Sequence, residues 1–236
     1  FALHLEQLIR YDDNAFTRAA AQGGEAEGYP ALRNAAMFDL DVLRALNSVS
    51  AAELKQAVLA RGDSSDFDFI SHLPEYENPE SVLSKGSLEA MKQLESFYHL
   101  NGYGVFARYG AFRWDHQLVG ILRPDPIRLS ELKSYEYERG LVAANTKDFL
   151  EKRGGGNLLL YGDRGTGKSS TIKALANEYR MNGLRIVEIT KDAILQLPAI
   201  MERLRDVPLR FILFLDDLSF SSDDAAFSAL KSVLEG

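Results

Sequence analysis

The sequence contains no cysteine, which excludes disulfides, zinc–thiolate centres and thiol nucleophiles and fits a reducing compartment. Histidine is scarce: His4, His72, His99 and His116 are scattered without metal-ligand spacing. No apolar run approaches the roughly 20 residues that a bilayer-spanning helix needs. The opening residues carry Glu6 and Arg10 in a mixed pattern unlike a signal peptide. Because the first residue is Phe rather than Met, trimming at the N-terminus is expected. Nor is there an excess of positive charge. A net charge of −7 argues against a broad electrostatic footprint for nucleic acid and leaves a local basic patch as the remaining route to one. These absences lead us to expect a cytoplasmic protein without a membrane span.

What is present is ordinary in bulk: 236 residues, 46% hydrophobic and 26% charged, enough for one sizeable core or two modest domains. One stretch is not ordinary. Asn157 to Ser170 opens on an apolar run, Leu158 to Tyr161, which reads as a short buried strand. Gly162-Asp163-Arg164-Gly165-Thr166-Gly167-Lys168-Ser169 follows and satisfies G-x-x-x-x-G-K-[ST] at every fixed position. Ser170 to Met181 then reads as a helix, with Ile172, Leu175, Ala176 and Tyr179 on one side. The chemistry needs that order. Glycines let the backbone curl so that successive N–H groups point inward, and the positive end of the next helix faces the same anion. Gly162 to Ser170 is therefore the expected phosphate cradle, with Lys168 reaching the β- and γ-phosphates and the Ser169 hydroxyl on Mg²⁺.

The rest of the chain is arranged around this stretch. Up to Leu100 the pattern is mainly helical, with amphipathic segments at Phe1–Tyr11 and Ala31–Leu46 on either side of the loop Gln22–Pro30. Ser50 reads as the N-cap of Ala51–Arg61, with Glu53 completing a capping box. A polar stretch to Pro79 reads as loop. Ser87 is expected to cap Leu88–Leu100, whose Leu88, Met91, Leu94, Phe97 and Tyr98 form an apolar core stripe. Gly102 to Trp114 alternates aromatic and basic residues. A nucleic-acid stacking platform is one reading, but Asn101, Val105 and Arg108 depart from the RNA-recognition pattern, and a packed arm or irregular strand is preferred. His116 beside Asp115 has no nucleophile near it in sequence.

Arg123-Pro124-Asp125-Pro126 is the best domain boundary, giving a mainly helical domain over 1–123 and an α/β domain over 124–236. In the second, Ser130 is expected to cap a helix near Tyr135–Leu150. Leu184–Ile189 and Arg210–Leu215 read as strands, with a helix over Ala193–Leu204 kinked or restarted at Pro198. Alternating strands and helices argue a parallel sheet covered on both faces. The last strand ends in Asp216-Asp217, at the edge where ligands sit in open α/β sheets. Asp216 is the expected Mg²⁺ acid and Asp217 the acid that polarises the attacking water. Lys168, Asp216 and Asp217 are thus the candidate catalytic set, and Ser169 with Asp216 the candidate metal set.

An apolar strand ending in two acids downstream of a phosphate loop resembles the AAA+ division of P-loop ATPases; Asp-Asp in place of the usual Asp-Glu is the variant seen in replication initiators. More closely, Leu159 to Ser170, Phe214 to Phe220 and Ala229 to Gly236 resemble a bacterial AAA+ family filed as a domain of unknown function. Asp125 to Ser130 and Asn145 to Phe149 fit it too. Where that family reads Leu-x-Gly-Tyr-Glu, this chain has Leu132-Lys133-Ser134-Tyr135-Glu136. The resemblance implies MgATP as cofactor, adenine against the backbone of Ile127–Tyr135, a ring-shaped homo-oligomer, and a neighbour's arginine at the site, for which Arg164, Arg203 and Arg205 are visible candidates. It also implies a sensor strand between the phosphate-loop and Asp216 strands, an arginine finger and a helical lid. None of them lies before Gly236, so a fragment or part of a longer chain, turning ATP over poorly by itself, is expected.

The function expected is an ATPase that couples hydrolysis to remodelling of an unidentified protein held by the helical domain. The alternative is a nucleotide-gated adaptor or loader with little turnover. A small-molecule kinase on the same loop is a weaker third reading: it would need an acceptor pocket and a mobile basic lid, and the Asp216-Asp217 strand end followed by Leu218-Ser219-Phe220 suits AAA+ better.

Overall fold

The computed structural model describes residues 2–23, 29–61, 68–72, 80–218 and 225–235. The chain divides into two compact units, Phe1–His99 and Leu100–Gly236. The regular elements described in the first unit are all helical: α1 (Ala2–Arg10), α2 (Ala15–Ala21), α3 (Pro30–Asn47), α4 (Ala51–Leu59), α5 (Asp68–Ser71) and α6 (Ser87–Asn101). Local chemistry sets several of their ends. Ser50 Oγ accepts from the Glu53 N–H (3.1 Å) and Glu53 Oε2 accepts from the Ser50 N–H (2.8 Å), the capping box expected at α4. Asn14 and Thr17 make the same reciprocal pair at α2, a helix the periodicity does not reveal. Ser87 does not cap. It lies within α6, where its hydroxyl accepts from Arg44 (2.6 Å) and donates to Asp41 on α3. The α6 stripe is core at Met91, Leu94 and Tyr98, while Leu88 is exposed. The Tyr98 hydroxyl donates to Ile9 O (2.6 Å), and burial pushes its pKa up. Most of the loop expected over Gln22–Pro30 and of the polar stretch to Pro79 falls at 24–28, 62–67 and 73–79, outside the described residues.

The second unit runs α7 (Gly104–Arg108), β1 (Ala111–Trp114), β2 (Leu118–Gly120), α8 (Glu136–Leu150), α9 (Lys168–Glu178), β3 (Leu184–Ile189), α10 (Leu197–Leu204), β4 (Arg210–Leu215) and α11 (Ala225–Glu235). Residues 102–123, grouped on sequence with the helical domain, supply β1 and β2 of its sheet. The strand order is β2-β1-β3-β4. β3 runs parallel to both β1 (Ala111 opposite Ile186) and β4 (Leu184 opposite Arg210), whereas β2 folds back antiparallel on β1 (Phe112 opposite Gly120). The sheet is therefore mixed rather than wholly parallel. The cause is a tight β1–β2 connection, Asp115–Gln117, with His116 at positive φ (54°): a loop that short can join only antiparallel strands.

The central strand β3 is buried at five of its six residues, as a strand paired on both sides and covered on both faces must be. One face packs Ala111, Ile186 and Val142 against Ile172, Leu175 and Ala176 of α9. The other holds Phe106, Phe112 and Phe211 ring to ring, with centroids 5.7–5.8 Å apart. The aromatic residues of 102–114 thus point largely inward; Tyr103, Phe106 and Phe112 are buried. On this same face Arg185 is fully buried. Its guanidinium donates to four carbonyls, of Phe106 (3.0 Å), Arg180 (3.0 Å), Leu184 (2.9 Å) and Asn101 (3.0 Å). Burial first, and the nearby Arg180 charge second, push its pKa down to about 10, so it stays charged at neutral pH.

Two departures from expectation bear on function. Leu158–Tyr161 is not a strand of the sheet, and Leu159 and Tyr161 are 79% and 89% exposed. A strand exists through its neighbour, and none of the described residues supplies one here. For the same reason β4, expected to be buried, is half-buried along its whole length: β3 pairs with one edge and no described strand with the other. Elsewhere, α10 starts with Pro198 in its first turn, after a 3₁₀ segment over Lys191–Gln196, the restart expected there. Ser130 sits in a 3₁₀ turn (Leu129–Glu131) instead of capping α8. The turn into α8 is made by Ser134 and Tyr135, at φ 63° and 58°.

Two outcomes follow. Ser134 occupies a left-handed position where the resembling family carries glycine, so Ser134→Gly should raise stability by about 0.5–1 kcal/mol in urea denaturation. Arg185→Met removes the donors of four hydrogen bonds and leaves the interior carbonyls of Phe106, Arg180, Leu184 and Asn101 without them, the costly side of the exchange. The sheet unit should lose roughly 2–4 kcal/mol, read as a lower urea midpoint by circular dichroism.

Candidate functional site

The glycine–lysine loop is carried by α9. Gly162, Gly165 and Gly167 have φ of 133°, 79° and 82°, and Gly167 is the N-cap of α9. All three lie in the region that side-chain-bearing residues avoid, and a Cβ added at any of them would meet nothing within 4 Å. These glycines therefore serve backbone conformation and open access to the loop, not packing. The curl turns back on itself through Thr166, whose hydroxyl donates to Asp163 O (2.9 Å). Thr171, one turn into α9, ties back to Gly167 O through both its N–H (2.8 Å) and its hydroxyl (2.9 Å).

Lys168 folds over the loop. Its Nζ donates to Gly162 O (2.9 Å) and Asp163 O (2.7 Å) and reaches Thr166 Oγ1 at 3.4 Å. A cation held only by neutral oxygens, beside a helix N-terminus, can exchange them for the oxygens of an anion. Ser169 faces the sheet: its hydroxyl donates to Asp216 Oδ1 at 2.8 Å, across 47 residues of sequence. The same oxygen accepts the Asp217 N–H at 3.1 Å. Asp217 has φ 50°, so the chain leaves the strand direction there, and its carboxylate stands at the surface with no hydrogen-bond partner among the described residues. Ser169 and Asp216 together form a hard oxygen pair, the donor type Mg²⁺ prefers. Arg164 is exposed on the loop, and Ser170 is half-buried in the first turn of α9. The other arginines singled out are engaged elsewhere: Arg203 lies over the Phe106 ring (5.4 Å) and Arg205 pairs with Glu202 (2.9 Å).

Two asparagines given no role on sequence hold the approaches to the loop. Asn145 on α8 accepts from the Gly156 N–H (2.9 Å) and donates to Gly156 O (3.0 Å), pairing with the backbone as a neighbouring strand would. Beside it Gly155, at φ 98°, passes so close to Phe149 that a Cβ would lie 2.9 Å from its backbone. Asn177 on α9 donates to Asp125 O (2.7 Å) and Ile127 O (2.9 Å), fastening the start of the 125–135 segment along the helix. Both are polar residues inside helices; Asn145 opens a stretch already matched to the resembling family, though with no role attached, whereas Asn177 is marked only by being a poor helix former at a half-buried position.

The four histidines are exposed, and among the described residues no group of three or more His, Asp or Glu gathers as a metal cluster. No described helix is long and apolar enough to cross a membrane. No curated protein and no solved structure is significantly similar to the chain. A family model does match, over residues 107–236, a span holding the sheet, the glycine–lysine loop and the Asp216–Asp217 strand end. The chain therefore belongs to the family described as Protein of unknown function (DUF815).

Proposed function

We propose that the second unit is a P-loop ATPase module of the AAA+ type that binds MgATP at Gly162–Ser170. The observation that carries the reading is the hydrogen bond between Ser169 and Asp216, because it joins the two motifs that must share one metal ion. In this reading the N–H groups of Gly165, Thr166 and Gly167 and the N-terminus of α9 receive the β-phosphate. Lys168 would give up its loop carbonyls for β- and γ-phosphate oxygens, and the Ser169 hydroxyl and Asp216 are the residues that would hold Mg²⁺. The metal, when bound, neutralises charge developing on the transferred phosphoryl group. Asp217 takes the proton of the attacking water. Arg164 remains available on the loop for contacts to a neighbouring subunit, and the helical unit would hold the protein to be remodelled.

The AAA+ assignment also gives one cause for two unpaired edges. In that division a sensor strand runs between the phosphate-loop strand and the acid-bearing strand. Here both 157–161 and the outer edge of β4 lack a strand neighbour among the described residues. A second reading, a nucleotide-gated adaptor with little turnover, is favoured by one observation: no described residue orients the Asp217 carboxylate.

Titration calorimetry with Mg²⁺ should show ATP and ADP binding on the order of micromolar, weakened about a hundredfold or more in Lys168→Ala. Absence of binding to the unaltered chain would overturn the proposal for this chain. Asp217→Asn should retain ATP binding while steady-state hydrolysis falls about a hundredfold or more, the usual worth of a general base. Negligible turnover in both forms, with partner capture that requires ATP, would instead establish the adaptor.

A further inference from the structure

A second recess lies along the other half of α9. Past the loop, α9 turns Lys173, Ala176 and Asn177 towards the sheet and the 121–125 segment, and between them is a cavity of about 200 Å³. Its floor is apolar: Ala111 and Ile186 are buried core residues, and Ile121 adjoins them. Its rim is polar and unevenly paired. Lys173 and Glu188 face each other at 3.4 Å and satisfy one another. Arg123 has no ion pair or hydrogen bond among the described residues, and Arg180 spends a single Nη2 donor on Arg108 O (3.2 Å). Asp125 accepts the Ile127 N–H on Oδ1 (3.2 Å). Asn177, with both N–H donors committed to the 125–127 backbone, keeps an unused carbonyl oxygen.

The balance of this rim decides what it suits. With Lys173 and Glu188 cancelling, the two guanidiniums outweigh the one carboxylate of Asp125, and between them most N–H donors are unused. Guanidinium forks match carboxylate and phosphate oxygens in pairs. A dry cavity of about 150 Å³ accommodates a benzene ring, so 200 Å³ over an apolar floor holds a compact body with one acidic group. We propose that this cavity binds a small organic anion, a carboxylate or phosphate monoester on a short apolar body, with Arg123 and Arg180 on the acid group and Ala111, Ile121 and Ile186 under the body.

The site is separate from the glycine–lysine loop and does not depend on what that loop binds. Its test is therefore made in the 236-residue chain carrying Lys168→Ala, which removes the loop's ammonium as a competing anion site. Benzoate and phenyl phosphate are titrated by calorimetry, with benzyl alcohol as the neutral match. Saturable binding of either anion in the millimolar range or tighter is expected, and which one binds names the acid group. Arg123→Gln should weaken that binding about tenfold; because Arg123 is exposed and partnerless, the substitution does not threaten the fold, and an unchanged thermal midpoint verifies this. The proposal is overturned if neither anion saturates, if benzyl alcohol binds as well as the anions, or if Arg123→Gln leaves affinity unchanged.

Discussion

The packing of α9 on β1 and β3 is the constraint from which the rest of the second unit takes its positions, because one helix serves three neighbours at once. Ile172, Leu175 and Ala176 bury against Ala111 and Ile186, fixing both its height over the sheet and its rotation. That rotation aims the first turn at the carboxyl end of β4, so Ser169 meets Asp216. The same rotation points Asn177 at the 125–127 backbone and Lys173 at Glu188. Lost packing at Leu175, which is fully buried, would therefore displace the loop, the linker and the second cavity together.

The loop owes less to the sheet than a strand-borne loop would. Residues 157–161 have no ladder among the described residues, so no described strand transmits its register to them by backbone hydrogen bonds. The amide of Asn145 stands in for one, gripping Gly156 by both its N–H and its carbonyl, with Gly155 pressed on Phe149 to let the chain pass. Two side-chain bonds fix a position but not a direction as firmly as a ladder does. The position of this stretch thus rests on side-chain contacts rather than on the sheet.

Periodicity and motif spacing made legible those parts of the fold whose causes are local. Leu184–Ile189 and Arg210–Leu215 are strands because their apolar runs allow little else, and Pro198 restarts a helix because it cannot continue one. The juxtaposition of Ser169 with Asp216 was also legible, since both motifs belong at one edge of an open α/β sheet. What was not legible depends on partners remote in sequence. Leu158–Tyr161 has a strand's composition without a strand's neighbour. Arg185 reads as a surface cation until α6, α7 and the α9–β3 turn bring it four carbonyls. Ser87 has the look of a cap, yet Asp41 and Arg44 claim its hydroxyl. Over 102–114 the packed arm or irregular strand was legible, and Phe106 and Phe112 are buried; its place in the sheet of the second unit, and β2 after it, were not, because an aromatic, glycine-rich stretch carries no clean alternation.

The two acids at the end of β4 also part company for a backbone reason. Neighbouring residues of a regular strand send their side chains to opposite faces. Asp216, the first residue past β4, reaches α9, where the Ser169 hydroxyl donates to it. Asp217 turns into the left-handed region and spends its N–H on Asp216 Oδ1, so that one carboxylate is held by two donors while the other is released to solvent. Two residues of identical chemistry thereby become unlike. The first is an oxygen acceptor held in place beside a hydroxyl. The second is an exposed carboxylate that no described residue orients. In the proposed ATPase, Asp216 would therefore meet a cation already in position, whereas Asp217 would act as a base only once a bound nucleotide or a neighbouring chain had placed it.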